Sequence, residues 1–511
     1  MEGTRVRILS DIGSWILSPE GRRIFWLAGW SGTGKTAIAQ TVCSRVRAHA
    51  DMILGGSFFC SRSTGSIAQR DVRCVIPTLA QLMARQSAEF SKALAIEIGR
   101  DPDILQKKVS TQAELLLYAP LLALQKSLKR SSTTIVFVID ALDECGDRDT
   151  TDETANTAES DRIVSEMLEA LVKFSRSDIK LSVKFVVTSR PETHIRDTSV
   201  SNDTLSTVLH LQTVNKQQIT EDIRLYIAAR LSNSSRLRIL FTEDDVNMLV
   251  RLCDGLFIFA KTALQYVLAM GVDLAPSRFK TLLNTTRDGL SEEAARPLDS
   301  MYRLILIDAA GVDHVESDGL KVVLQLLASI LSARTPLSVE TLSALLDMDR
   351  NDVRVRLARL HAVVYVSHDD DDPSLRALHA SFGDYLAGYA SIDIRSSASF
   401  GHDLLARGCF RIMAKCLHFN ISQSRSSYEL IVAKRPETIT SSLEYACFEW
   451  VYHAVSATVP SEFHAEIYAF MRSRLLFWLE VCSVLCQADR AAAILFFAAQ
   501  KVSILPFSTI P

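Results

Sequence analysis

The octapeptide Gly29-Trp30-Ser31-Gly32-Thr33-Gly34-Lys35-Thr36 fits the pattern G-x-x-x-x-G-K-[ST] at every fixed position. Gly29, Gly32 and Gly34 let the backbone curl so that successive N–H groups, that of Thr33 among them, point inward at phosphate oxygens. A helix opening near Lys35 adds the unpaired amides of its first turn, Ala37 included, and the positive end of its dipole. The Lys35 ammonium is expected to reach the β- and γ-phosphates, and the Thr36 hydroxyl to ligate Mg²⁺. That metal needs a second arm. The stretch TTIVFVIDALDEC ends an apolar run on Asp140, and Asp143 and Glu144 follow three and four residues on. Asp140 is expected to hold the metal, with Asp143 and Glu144 beside it to activate water. A third run, KFVVTSRPE, ends at Thr188, Ser189 and Arg190. An arginine placed there can touch a γ-phosphate and stabilise the charge that develops in phosphoryl transfer.

Five short apolar runs rich in β-branched and aromatic residues must carry these groups: RIFWLAG, ILGGSFFC, TTIVFVIDA, LSVKFVVTSR and LSTVLHLQTV. Near-continuous apolar runs of this length suit strands buried on both faces of a parallel sheet. Helical patterns such as TAIAQTVCSRVRAHA, IPTLAQLMARQSAEFSKALAIEI and AELLLYAPLLALQKSLK alternate with them. The alternation predicts a doubly wound α/β domain over residues 1–205, its phosphate loop and metal acid at the carboxyl ends of the first and third strands. The strand order 5-1-4-3-2 is expected. Beyond that point the 3.6-residue period takes over. A helical domain is expected over 206–295. Residues 296–390 hold several helices, then two short runs flanking the acidic loop HDDDDPS, which is the plan of a winged helix. Residues 391–511 are helical again. The stretch 146–161, GDRDTTDETANTAESD, reads as a solvated loop, and Asp369 to Asp372 as a hairpin tip rather than a metal cluster.

Composition narrows the function classes. At 511 residues the chain is too long for a single core. With 48% hydrophobic and 23% charged residues it is an ordinary globular protein, and a net charge of −3 gives no reason to expect nucleic acid or an anionic membrane as partner. Its ten cysteines include no C-x-x-C pair, so reduced thiols and a cytoplasmic location are expected. Neither a signal peptide nor a spanning segment is legible. Guanine recognition by N-K-x-D is absent, because Asn215-Lys216 is followed by Gln217-Gln218.

Taken together, IFWLAGWSGTGKTAIAQT, GGSFFCSR, VIDALDEC, FVVTSRPE, DGLFIFAKTA, PLDSMYRLIL and LHASFGDYL resemble the NACHT family of STAND-class P-loop ATPases. The fungal branch with a nephrocystin-3-like nucleotide-binding module looks nearest. The resemblance implies ATP or ADP and Mg²⁺ as ligands, a nucleotide-dependent conformational switch with slow hydrolysis, and self-association on activation. Within it Lys35 and Thr36 match the phosphate-loop pair, Asp140 the magnesium acid, Arg190 the sensor arginine, and Asp143 and Glu144 the displaced acidic pair. Many related ATPases place a catalytic acid directly after the magnesium acid; Ala141 stands there instead. His379 in LHASFGDYL matches the winged-helix histidine that contacts the ADP β-phosphate in such proteins. In DGLFIFA, Gly255 and Phe257 stand where plant-type relatives have a Gly-Leu-Pro-Leu motif. Family members often carry an effector domain before this module and repeats after it, and neither is legible in these 511 residues.

Overall fold

The computed structural model describes residues 3–18, 22–61, 67–127, 133–145, 153–192, 195, 206–232, 240–269, 271–289, 296–311, 318–366, 375–389, 397–424 and 437–502. The chain divides into two compact units, Met1–Leu298 and Asp299–Pro511.

The first unit is built on strands β1 (Ile24–Ala28), β2 (Met52–Phe59), β3 (Thr134–Asp140), β4 (Val183–Ser189) and β5 (Ser206–His210). All pair in parallel, in the order β2-β3-β4-β1-β5. This is the order expected from the sequence, read from the other edge. Every residue of β1, β3 and β4 is buried. The period-2 alternation of strand side chains sends Ile24, Trp26, Ile135, Phe137, Ile139, Phe185 and Val187 to one face of the sheet. They meet helices Val75–Ala84, Ala88–Arg100 and Glu153–Ser175 there. Phe25, Leu27, Val136, Val138 and Val186 point the other way, into α1 (Val6–Leu17) and α2 (Lys35–Ala48) through Ile12, Ile16, Ile38 and Val42. A sheet covered on both faces explains why its strands read as unbroken apolar runs.

Two local readings are corrected. The pattern over IPTLAQLMARQSAEFSKALAIEI is two helices, because the Ser87 hydroxyl accepts the N–H of Phe90 and starts a new helix. The solvated loop expected over 146–161 gives way to helix at Glu153. From there to Asp161 no glycine or proline interrupts the chain, and Glu and Ala favour helix. Residues 146–152 lie outside the described residues.

In the remainder of the first unit, helices Lys216–Ser232, Glu243–Leu252, Phe257–Leu268 and Ala275–Gly289 follow the sheet. The second unit places helices Asp318–Ser332, Val339–Leu346 and Arg350–Leu360 before β6 (Val364–Tyr365) and β7 (Arg376–Ala377), an antiparallel pair. Helices Ala380–Tyr389, Ala398–Cys416, Ser441–Val455, His464–Ser473, Leu475–Val484 and Ala488–Val502 complete it. Trp450 and Trp478 are its largest buried side chains, and the Trp478 indole donates to the Cys447 carbonyl at 2.8 Å. Asp369 to Asp372 fall outside the described residues. No helix among the described residues is long and apolar enough to cross a membrane.

Candidate functional site

Because β4 lies between β1 and β3, the loop leaving β1, the carboxylate ending β3 and the polar end of β4 open on the same edge of the sheet. The loop is held at its root, where the Gly29 N–H donates to the Ser189 carbonyl at 3.1 Å. The Trp26 indole donates to the Ser189 hydroxyl at 2.8 Å. Gly32 and Gly34 have φ of +80° and +93°, a region that costs other residues energy, and Gly34 caps the start of α2. The Lys35 ammonium lies inside the curl, donating to the carbonyls of Gly29 at 2.7 Å and Trp30 at 3.1 Å. The Thr33 hydroxyl donates to the Trp30 carbonyl at 2.8 Å. Thr36 and Ala37 are exposed at the first turn of α2, and the Trp30 side chain stands out at 61% exposure.

Asp140 is buried at the end of β3 and accepts a hydrogen bond from the Thr188 hydroxyl at 2.6 Å. That hydroxyl in turn accepts the N–H of Ala141 at 2.9 Å, fixing a turn whose Ala141 has φ +54°. Burial pushes the Asp140 carboxyl up, while hydrogen bonds from Thr188 and Thr36 and the charge of Lys35 pull it down. Asp143 sits in the turn Leu142–Glu144 and takes Arg190 twice: its Oδ1 accepts the Arg190 N–H at 2.9 Å, and its Oδ2 lies 3.1 Å from Nε. Burial also pushes the Lys35 ammonium down from its ordinary range, and the charges acting on it are those of Asp143, Arg190, Asp140 and Glu144. Lys35, Asp140, Asp143, Glu144 and Arg190 are therefore brought into one electrostatic neighbourhood.

His379 belongs to the second unit, where its Nδ1 accepts the Ser381 N–H at 3.1 Å and lies 2.7 Å from the Ser381 hydroxyl. A ring nitrogen accepting a backbone N–H carries no proton of its own, so in the neutral ring the proton sits on Nε2. The Ser381 hydroxyl also meets the buried Tyr302 hydroxyl at 2.8 Å.

Two contributors escaped the sequence reading. Thr188 was visible as the polar end of a buried strand, yet its bond to Asp140 was not. Arg5 gave no local signal at all. Its guanidinium donates to the Thr33 carbonyl at 2.9 Å and lies 5.0 Å from the centre of the Phe257 ring. Its backbone N–H donates to Asp222 at 3.1 Å. The segment DGLFIFA also reaches the loop, for the Ile258 N–H donates to the Gly32 carbonyl at 3.2 Å. A Cβ added at Gly32 would sit 2.2 Å from Ile258 Cγ2.

Gly32→Ala is therefore expected to destabilise the first unit. The left-handed backbone contributes about 1–2 kcal/mol and the overlap with Ile258 about 1–3 kcal/mol. Chemical denaturation followed by fluorescence measures the loss, and a second change, Ile258→Ala, should recover part of it. A Gly32→Ala protein as stable as the parent would contradict this packing.

The donors present suit magnesium. Thr36, at the first turn of α2, and Asp140, at the end of β3, supply two hard oxygens. Among the described residues no group of three or more His, Cys, Asp or Glu could hold a metal ion. A two-donor arrangement is the kind that Mg²⁺ uses when phosphates and water complete its shell.

Residues 3–190 match the family described as Nephrocystin 3, N-terminal. No curated protein matches the chain. Among solved structures, the chain is similar to a signal transduction ATPase with numerous domains (STAND) with a tetratricopeptide repeat sensor from Pyrococcus horikoshii. Identity is 12% and the TM-score 0.37, over 98% of this chain and 64% of that one. It thus spans just under two thirds of that protein's length. The Drosophila ORC bound to DNA gives 13% identity over 78% of this chain and 97% of the other, with a TM-score of 0.32. Cdc6p from Pyrobaculum aerophilum gives 12% over 74% and 90%, with a TM-score of 0.29.

Proposed function

We propose that this chain, whose residues 3–190 match the family described as Nephrocystin 3, N-terminal, is an ATP- and ADP-binding switch of the NACHT and STAND type. The observation that carries the reading is the convergence of Lys35 with Asp140, Asp143, Glu144 and Arg190 beside a glycine-curled loop. Amides of Gly32, Thr33, Gly34 and the first turn of α2, with Ala37, receive the phosphates, and the Lys35 ammonium turns from the loop carbonyls to the β- and γ-phosphate oxygens. Thr36 and Asp140 would hold Mg²⁺, which when bound supplies charge neutralisation at the β- and γ-phosphates. Asp143 holds Arg190 through two contacts; with Asp143, Glu144 would orient the attacking water, and Arg190 would face the γ-phosphate.

The proposed nucleotide domain runs past the expected boundary at 205 to take in β5, which pairs with β1. A helical domain to 295, a winged helix over 296–390 and a helical segment over 391–511 would follow. His379 would meet the β-phosphate of ADP, so ADP would favour a closed state and ATP a state that self-associates in the cytoplasm. A ligand shifts such an equilibrium only by its different contacts with the two states, and His379 is the residue assigned to supply that difference. Ala141 in place of a catalytic acid, and an Asp143 already engaged, favour slow turnover. They also support a second reading, a scaffold that binds nucleotide without hydrolysing it.

Chromatography of nucleotides after incubation of the purified chain with ATP and Mg²⁺ separates the two. The switch requires ADP to accumulate with time and to stop accumulating in Lys35→Ala. ATP recovered unchanged would leave the scaffold.

A further inference from the structure

Two buried cysteines border the acidic turn. Cys60 directly follows β2 and is 4% exposed; Cys145 directly follows Leu142–Glu144 and is 2% exposed. Their Sγ atoms lie 2.7 Å apart although the two residues are 85 positions apart in sequence. Both backbones are anchored to the site: the Cys60 N–H donates to the Asp140 carbonyl at 3.0 Å, and the Cys145 N–H to the Leu142 carbonyl at 3.2 Å. Covalent bonding needs the sulfurs to close by only roughly 0.7 Å, to the ~2.05 Å of a disulfide.

We propose that Cys60 and Cys145 are a redox modification site, a dithiol that peroxide converts to a disulfide tying the end of β2 to the turn that carries Asp143 and Glu144. The conversion balances with one hydrogen peroxide. One thiol sulfur attacks a peroxide oxygen, the O–O bond breaks, and a sulfenic acid and water result. The other sulfur then attacks the sulfenic sulfur, the S–O bond breaks, and the departing hydroxide leaves as water with the thiol proton. Two thiols have lost two electrons to the peroxide, and two waters have formed. A small oxidant suits thiols this deeply placed.

A bond at this place restrains the Leu142–Glu144 turn, whose Asp143 positions Arg190. On the proposed reading of the nucleotide site, oxidation therefore slows ATP turnover, and reduction restores it. Cys74 is a competing thiol in the same neighbourhood, since the charge of Cys145 acts on it.

The test uses the full chain treated with hydrogen peroxide, alkylated in denaturant and digested without reductant. Mass spectrometry should find the Cys60–Cys145 linked peptide, lost after dithiothreitol. Recovery of both cysteines alkylated, of either as sulfinic acid, or of Cys145 joined to Cys74 would overturn the site. ATP turnover of the cross-linked protein should fall at least threefold and return with dithiothreitol; unchanged turnover would overturn the regulatory role. The peptide map needs no nucleotide, so failure of the nucleotide reading and failure of this site are told apart.

Discussion

Lys35→Ala should weaken the binding of ATP and ADP by at least a hundredfold while leaving the fold in place. The ammonium is buried inside the curled loop, and its partners there are the carbonyls of Gly29 and Trp30. Each hydrogen bond to a charged group contributes about 1.5–3 kcal/mol, so two phosphate contacts account for about 3–6 kcal/mol, or more than two decades of affinity. Lys35→Arg should not rescue it, because a planar fork replaces a compact ammonium in a curl only a few atoms wide. Titration calorimetry measures the affinity, and circular dichroism checks the fold. An alanine variant that binds within threefold of the parent would remove Lys35 from the site.

Arg190→Ala is expected to act on stability, without any nucleotide. Asp143 is only 3% exposed, and the substitution removes its ion pair with the Nε of Arg190, while the backbone N–H contact survives. Breaking a buried ion pair from one side costs about 3–5 kcal/mol. Arg190 is 21% exposed and the charge of Lys35 still acts on the site, so about 2 kcal/mol is the better expectation here. Adding Asp143→Asn should recover part of the loss, because the remaining side chain is then neutral. A double-mutant cycle by chemical denaturation should return a coupling above about 1 kcal/mol. Strict additivity would show that the pair observed here contributes nothing to the fold.

The sheet was legible because burial on both faces leaves only one kind of strand possible. The phosphate loop and the acid after β3 were legible because each is written in contiguous residues. From the chain order of those motifs followed the strand order, and with it the place of Arg190 between loop and acid. Contacts made across long separations were not legible. Arg5 reaches Thr33 across 28 positions and Asp222 across 217, and nothing near Arg5 marks it. Ser87 can begin a helix or sit within one, so the break before Ala88 was hidden in a continuous period. The acidic, threonine-rich composition of 153–161 points to loop, whereas its lack of helix breakers lets the helix begin at Glu153. Ile258 and Phe257 were visible as an apolar stretch, but not as neighbours of Gly32 and Arg5. The nearness of Cys60 to Cys145 likewise depends on β2 and β3 lying side by side, which spacing along the chain does not reveal.

Titration calorimetry of the intact chain with ATP in the presence of Mg²⁺ tests the central claim most directly. One site per chain is expected, with affinity lost in both Lys35→Ala and Asp140→Ala. Absence of binding heat at several temperatures, with ATP raised to millimolar concentration over correctly folded protein, would contradict the assignment of this loop and carboxylate to a nucleotide.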